Sequence, residues 1–474
     1  MPLQGDAPLA MSAAHPPPPT SPAPRHLMQA LYAAVFLAAL DTAVVAPALP
    51  ALRESFGIDH RQAGLLMVVF VLCSLCSNAL LAHLGDRLGR RPVFLFSVAC
   101  FALGSLLVAL SPGLWMLLLG RAVQGIGAGG ILPTASALVG DAVPAQDRGR
   151  ALGLIGALYG MAFVVGPPLA TLLMMAFGWP WIFLVNLPLA AVVLLLGARA
   201  LPAPVGHAGL PPPDLAGSVL TLITLAALVL GITRAADEAL GLPLWPALLL
   251  ASAIAGGLLL RVERRAAAPV LPWQLLRRSQ LARTYLLCAG AGFGMGGIVF
   301  VSSVAQLAHG VAATHGGFVL LPLVLCSMVG SMAAGRALNR LGARKLLLAG
   351  FACMALGYAA LAWTSTAFGF FLLATMPVGL GVGIVAGGAL RAIAIDEAPP
   401  AQRGAAQGMV NLSTSVGTLL AAAAIGAVAD FNGGAAQGFS MAYLGVAALM
   451  LALLPVALGL HHRSGAPLGT EPAS

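Results

Sequence analysis

The chain is short of charge. Charged residues make up 8% of its 474 positions, against roughly 25% in an ordinary soluble domain. Lysine occurs once, at Lys345, so nearly all of the 24 basic residues are arginine; that bias reads as genome composition rather than mechanism. Aromatic residues are also few, at 6%, while hydrophobic residues reach 59%. Such a chain cannot clothe a folded surface in water-binding groups, which excludes a soluble enzyme or binding domain. The net charge of +9 would suit nucleic acid, but the arginines are scattered over short segments between apolar runs.

Other absences narrow the chemistry. No GxxxxGK[ST] loop is present, so ATP drive finds no support. The nine histidines are dispersed, with only His461 and His462 adjacent. All six cysteines (73, 76, 100, 288, 326 and 353) lie within apolar runs. Cys73 and Cys76 form a CxxC, but no other ligand type surrounds them, and buried small hydrophobes are the preferred reading. No His, Asp and Glu cluster gathers at one depth, so neither an enzyme, a metal nor a cofactor is expected.

Long apolar runs are what the chain does have. Crossing ~30 Å of hydrocarbon takes roughly 18 or more apolar residues. Fourteen stretches qualify, at about 28–49, 63–84, 93–111, 114–139, 151–176, 180–200, 215–234, 243–261, 284–307, 314–336, 345–364, 368–392, 405–429 and 439–460. An even number places both termini on one side. With that side cytoplasmic, the outer loops hold only Arg53, Arg61 and Arg234, whereas the loop after the eighth run holds Arg261, Arg264, Arg265, Arg277, Arg278 and Arg283. Arginine accumulates on the cytoplasmic side of membrane proteins. Residues 1–27 are expected to form a Pro-rich, disordered cytoplasmic tail rather than a signal peptide, and 461–474 a second cytoplasmic tail.

The loop LAHLGDRLGRR (81–91) organises the chain. It packs Asp86, Arg87, Arg90 and Arg91 between two apolar runs, with Gly85 and Gly89 as turn points. An echo returns at 335–345, GRALNRLGARK, where Gly342 stands for Gly89, 253 residues on. PAQDRG (144–149) recurs as PAQRG (400–404), and Gly125 and Gly127 pair with Gly381 and Gly383 at an offset of 256. Two homologous halves follow, as in parallel repeats about an axis normal to the membrane. The offset exceeds six spans and leaves room for two extra ones at 215–261. The expected domains are a six-helix bundle at 28–200, two extra spans with flanking loops at 201–283, and a second six-helix bundle at 284–460.

Two charges lie inside these spans. Asp41 sits in LDTAVVAPALP (40–50), where an isolated carboxylate costs at least ~2.5 kcal/mol. Arg121 sits in LLLGRAVQGIGAGG (117–130), and its duplicate at the offset of 256 is Pro377, so the repeat does not require the charge. Asp41 is 13 residues above the inner end of its span, ~20 Å at 1.5 Å per residue. Arg121 is about seven residues below the outer end of its own span, which places it at the same depth. Burial opposes charge on Asp41 and a nearby Arg121 favours it, so the pair is suited to taking up and releasing a proton.

These stretches resemble the major facilitator superfamily, in its fourteen-span drug:proton antiporter branch. LAHLGDRLGRR is similar to the loop between the second and third spans, and LDTAVVAPALP to the first-span signature. LLLGRAVQGIGAGG is similar to the motif linked with proton coupling. GALYGMAFVVGPPLA (156–170) resembles the antiporter motif, with Gly160, Gly166 and Pro167 in place. GWPWIFLVNLP (178–188), PDLAG (213–217) and VERRAAAPVLPWQLLRR (262–278) resemble further segments of that branch. The resemblance implies an all-α integral membrane protein of two six-helix bundles plus two extra central spans. It implies proton-driven efflux of lipophilic drugs or small organic molecules across the cytoplasmic (inner) membrane by alternating access. A dedicated exporter of one metabolite or antibiotic is the alternative; a non-transporting sensor would need a soluble domain that is not seen. Asp41 and Arg121 would couple protons. Asp86, Arg87, Arg90 and Asp141 would form a cytoplasmic gate, with Asp86 capping a helix of the other half and Arg90 pairing with Asp141. Tyr159, Phe163, Asn411 and Ser415 are cavity candidates. No cofactor beyond the proton gradient is implied. The partners are a small-molecule substrate, protons and the lipid bilayer, with a periplasmic adaptor left open for a Gram-negative cell.

Overall fold

The computed structural model describes residues 25–201, 214–234, 244–264, 273–363, 367–386, 388–399, 403–432 and 436–460. The described chain is helical. Helices α1 (Arg25–Phe56), α2 (His60–Leu88), α3 (Arg90–Ala109), α4 (Leu114–Ala142), α5 (Ala145–Phe177) and α6 (Asn186–Ala200) form the N-terminal half. Two further helices follow, α7 (Leu215–Arg234) and α8 (Leu244–Glu263). The C-terminal half contains α9 (Ser279–Gly297), which runs through a short 3-10 turn into α10 (Val301–His309). It continues with α11 (Leu321–Leu361), α12 (Phe368–Ala386), α13 (Ala389–Glu397), α14 (Arg403–Phe431) and α15 (Ala436–Leu458).

Among the described residues, thirteen helices are long and apolar enough to cross a membrane. The expected run at 151–176 falls within α5, a continuous helix of 33 residues, of which Met161–Phe177 is the fully described apolar part. Backbone hydrogen bonds satisfied within each helix are what permit so apolar a chain to cross lipid. Among the described residues, most of the arginines lie at the helix ends of one side. The other, Arg-poor end carries Trp115, Trp181, Trp245 and Trp363 with their rings exposed, as befits anchors at a membrane–water boundary.

The duplication is visible in backbone geometry. Gly89, between α2 and α3, has φ 96° and ψ 144°. Gly342, inside α11, has φ 78° and ψ 156°, so α11 is two helices meeting at a turn. Only glycine takes this conformation readily, and both loops therefore kept it.

Helix packing corrects the register of the repeat. A Cβ on Gly125, Gly127 or Gly129 would lie 2.4 Å from the Phe70 oxygen, 2.5 Å from the Ser97 oxygen and 2.3 Å from the Ser74 oxygen. On Gly379, Gly381 and Gly383 it would meet the oxygens of Leu323, Gly350 and Ser327 at 2.0, 2.5 and 1.9 Å. Each partner is 253 residues beyond its counterpart. Gly125 thus corresponds to Gly379 and Gly127 to Gly381, an offset of 254 rather than 256. The sequence offered two glycine ladders that fit either register, and only their contacts choose. The counterpart of Arg121 becomes Thr375, which is buried and uncharged, in place of Pro377.

Among the described residues, close approaches between the halves gather at the Arg-poor end. A Cβ on Gly316 would lie 2.6 Å from the Pro47 oxygen, and one on Gly317 would lie 1.8 Å from the Pro167 oxygen. Gly64 of α2 meets Ala422 of α14 in the same way, at 3.2 Å. The extra helices lie to one side. Leu225 and Val229 of α7 pack into one buried cluster with Val68 and Leu72 of α2 and Leu419, Ala422 and Ala423 of α14.

Candidate functional site

α1, α3, α4 and α6 bring five polar side chains to one point in the N-terminal half. Small residues let the helices approach. A Cβ on Gly104 of α3 would lie 2.4 Å from the Gln124 amide nitrogen, and one on Gly166 of α5 would lie 2.5 Å from the Ala43 Cβ. Close backbones draw short polar side chains into contact.

Asp41 and Arg121 touch. Arg121 Nη1 donates to Asp41 Oδ2 at 2.7 Å, and both side chains are wholly buried. The same Nη1 donates to Gln124 Oε1 at 2.9 Å, and Arg121 Nε donates to the Leu66 carbonyl of α2 at 3.3 Å. The guanidinium carbon lies 4.1 Å from the centre of the Phe70 ring, a cation–π contact that is worth more where water is excluded. The second carboxylate oxygen takes two bonds. Asp41 Oδ1 accepts from Gln124 Nε2 at 2.9 Å and from Asn186 Nδ2 at 3.0 Å. Ser105 Oγ accepts from the same two amides, at 2.7 and 3.3 Å. Asp41, Ser105, Arg121, Gln124 and Asn186 are all buried.

A buried charge is tolerated when it is paired and hydrogen-bonded; the pair is made here, although Arg121 Nη2 and Asn186 Oδ1 are buried without a hydrogen-bond partner. Here three N–H donors converge on one carboxylate. An ionised carboxylate accepts all three; a protonated one would have to turn its O–H toward a donor.

Sequence reasoning found the pair and its common depth but missed Ser105, Gln124 and Asn186. The signals were present. Gln124 is one helical turn from Arg121 and on its face, and Asn186 lies in the GWPWIFLVNLP segment. Asn186→Ala removes a donor from a buried carboxylate. It is expected to lower stability by about 1–3 kcal/mol, read as a drop in Tm in detergent; an unchanged Tm would deny the bond any weight.

The remaining candidates are placed as follows. Arg90 Nη1 donates to the Ala137 carbonyl at 2.6 Å, one turn before Asp141 on α4. Arg91 Nη2 donates to the Ala198 carbonyl of α6 at 2.6 Å. Arg87 is exposed. The side chains of Asp86, Asp141 and Tyr159, and the surroundings of Gly160, lie outside the described residues. Pro167 is buried and sits against Gly317. Phe163 and Ser415 are half-buried and Asn411 is exposed. Among the described residues no three His, Cys, Asp or Glu side chains are grouped to hold a metal.

Known proteins share this architecture. The sequence pattern of the Major Facilitator Superfamily matches residues 31–394 and again 323–473. An uncharacterized MFS-type transporter of Bacillus subtilis, YfiU, is 31% identical over 398 residues, covering 82% of this chain and 76% of its own. A triacylglyceride transporter of Mycobacteroides abscessus is 31% identical over 413 residues, covering 83% and 80%. Multidrug resistance protein 3 of B. subtilis is 26% identical over 408 residues, covering 83% and 77%. Among solved structures, the nucleoside transporter NupG superposes with a TM-score of 0.64 at 14% identity, over 92% of this chain and all of that one (100%); at that identity it speaks for the fold alone. A helical chain with apolar spans in this order, matched by the family pattern over most of its length, is a multi-pass membrane transport protein, not an enzyme, and belongs to the Major Facilitator Superfamily.

Proposed function

We propose that the protein exports lipophilic drugs or small organic molecules across the cytoplasmic membrane in exchange for protons. The observation that carries this reading is the buried Asp41–Arg121 pair with its three donors. A carboxylate so enclosed has no structural need that a Gln or Leu would not meet more cheaply in free energy. Its charge makes sense as something that is periodically neutralised. The Arg-rich end is cytoplasmic by the arginine rule, so both termini are cytoplasmic and the closed, Arg-poor end faces outward. This is the inward-facing half of an alternating-access cycle.

In that cycle a proton reaches Asp41 from the outside when the Arg-poor end opens. Neutralising the carboxylate frees Arg121, which also holds α2 through the Leu66 carbonyl. α2 packs against the C-terminal half through Gly64 and Ala422, so the charge state of Asp41 reaches the interface between the halves. Substrate and proton then compete for one charge state rather than one contact. Exposed Asn411 and half-buried Ser415 and Phe163 would line the substrate route.

The assay is proton release in inverted vesicles on addition of a panel of lipophilic cationic dyes. Dye-dependent dissipation of an imposed gradient supports multidrug antiport. A second reading, export of one lipophilic metabolite or lipid, draws on the relative named for triacylglyceride transport. Vesicles that respond to none of the dyes but to one such compound would decide for it.

A further inference from the structure

The Arg-poor end carries polar contacts that the buried pair does not use. α2 begins at His60 with Asp59 as its N-cap. The first N–H groups of a helix have no partner within it and form the positive end of its dipole. Asp59 takes one of them, from Gln62, and the Gln62 side chain accepts from the Asp59 amide at 3.1 Å. The Arg61 amide is taken by the opposite half. It donates to Asp430 Oδ2 at 2.8 Å, across 369 residues of chain. Asp430 is the penultimate residue of α14.

The Arg61 side chain, whose charge also acts on Asp430, makes further ties. Nη2 pairs with Asp59 Oδ2 at 3.1 Å, and Nη1 donates to the Thr233 carbonyl at 3.4 Å. Thr233 lies in the last turn of α7, where the dipole is negative and a guanidinium is welcome. Directly beneath, Leu225 and Val229 of α7 fill the seam between α2 and α14. A second polar tie between the halves, Gln306 Nε2 to Glu54 Oε1, stands at the same end.

We propose that Asp430 is a latch. It holds the outer end closed by capping α2 of the opposite half, and the first extra helix, α7, braces that latch through Arg61 and the seam. Opening must pull a carboxylate from a helix terminus and leave both without their partner. The extra hairpin then has a mechanical role in the cycle, beyond occupying lipid. Leu66, whose carbonyl holds Arg121, is five residues along the same helix, so the buried pair and the latch act on one rigid element. From the transport reading the proposal takes only that the outer end opens and closes.

The test is a spin-label distance across that end, in full-length protein in lipid nanodiscs with the native cysteines replaced. Labels at Ser55→Cys and Leu307→Cys report one half against the other; both positions are exposed. The unmodified latch should give a mostly short distance. Asp430→Ala should raise the ratio of long to short distances about tenfold, the size expected for a charge-assisted hydrogen bond. Asp430→Asn, which still accepts the N–H without charge, should shift it less, and carries the test if the Ala variant does not fold. Arg61→Gln keeps the amide but loses the tie to α7 together with the charge beside Asp430 and Asp59, and should also lengthen the distance. Folded Asp430 variants with unchanged distances overturn the latch, and an unchanged Arg61→Gln overturns the brace. The measurement needs neither substrate nor proton gradient, so a failed dye assay leaves it standing.

Discussion

Asp41→Asn is expected to abolish dye-driven proton movement while leaving the chain inserted in the membrane. The substitution preserves shape, yet it breaks the cluster's hydrogen-bond logic. Arg121 Nη1, Gln124 Nε2 and Asn186 Nδ2 all donate to the native carboxylate. An amide offers them one oxygen and turns an NH2 toward the third. Arg121 is then a buried cation without its counter-charge, a change that costs about 3–5 kcal/mol when one partner of such a pair is removed. Thermal unfolding should therefore fall together with coupling. The double variant Asp41→Asn/Arg121→Gln separates the two effects. It removes both charges, so stability should return toward the wild-type value while proton coupling stays lost. A single Asp41→Asn that still couples protons would remove Asp41 from the mechanism. A double variant no more stable than the single would deny that the pair is electrostatically matched.

Gly317→Val is expected to hold the outer end open and stop transport. Gly317 N donates to Thr171 Oγ1 of α5 at 3.0 Å, and a Cβ there would lie 1.8 Å from the Pro167 oxygen and 2.4 Å from Thr171 Oγ1. The nearer obstacle is backbone, so no side-chain rotation relieves it. The halves can meet at this point only with glycine between them. Ser302, now buried with its hydroxyl donating to the Gly316 carbonyl at 3.0 Å, gives the readout. A cysteine at that position should resist an impermeant thiol reagent added outside in the parent protein and react in Gly317→Val. Gly369→Val serves as the control, since a Cβ there meets nothing within 4 Å. Equal protection of the cysteine in both variants would mean that this crossing does not govern closure.

How much of this was legible in advance differs from element to element. The helical, membrane-spanning character followed from scarce charge and long apolar runs, because the cost of placing polar groups in lipid acts on each segment separately. The repeat was legible in the loop at 81–91, since a glycine needed at positive φ leaves its mark in the letters; Gly89 and Gly342 share that backbone conformation. The repeat's register within α4 and α12 was not, because evenly spaced glycines fit two offsets and only the oxygens they face choose one. The depth of Asp41 and Arg121 was arithmetic on helical rise. Gln124 and Asn186 were readable as letters but not as partners, because an amide in a membrane helix has several neighbours it might serve.

By itself, the sequence determined the helical class, the family, the orientation rule and the two charges at a common level. Each rests on a local quantity: run length, composition, spacing or rise per residue. Only the tertiary structure decided that Asp41 is held by three donors, that among the described residues the halves meet tightly at the Arg-poor end, and that Asp430 reaches the start of α2. Those contacts join residues 80, 145 and 369 positions apart. They depend on where helices cross, and crossing is set by the packing of whole helix faces at once, which no short stretch of sequence contains.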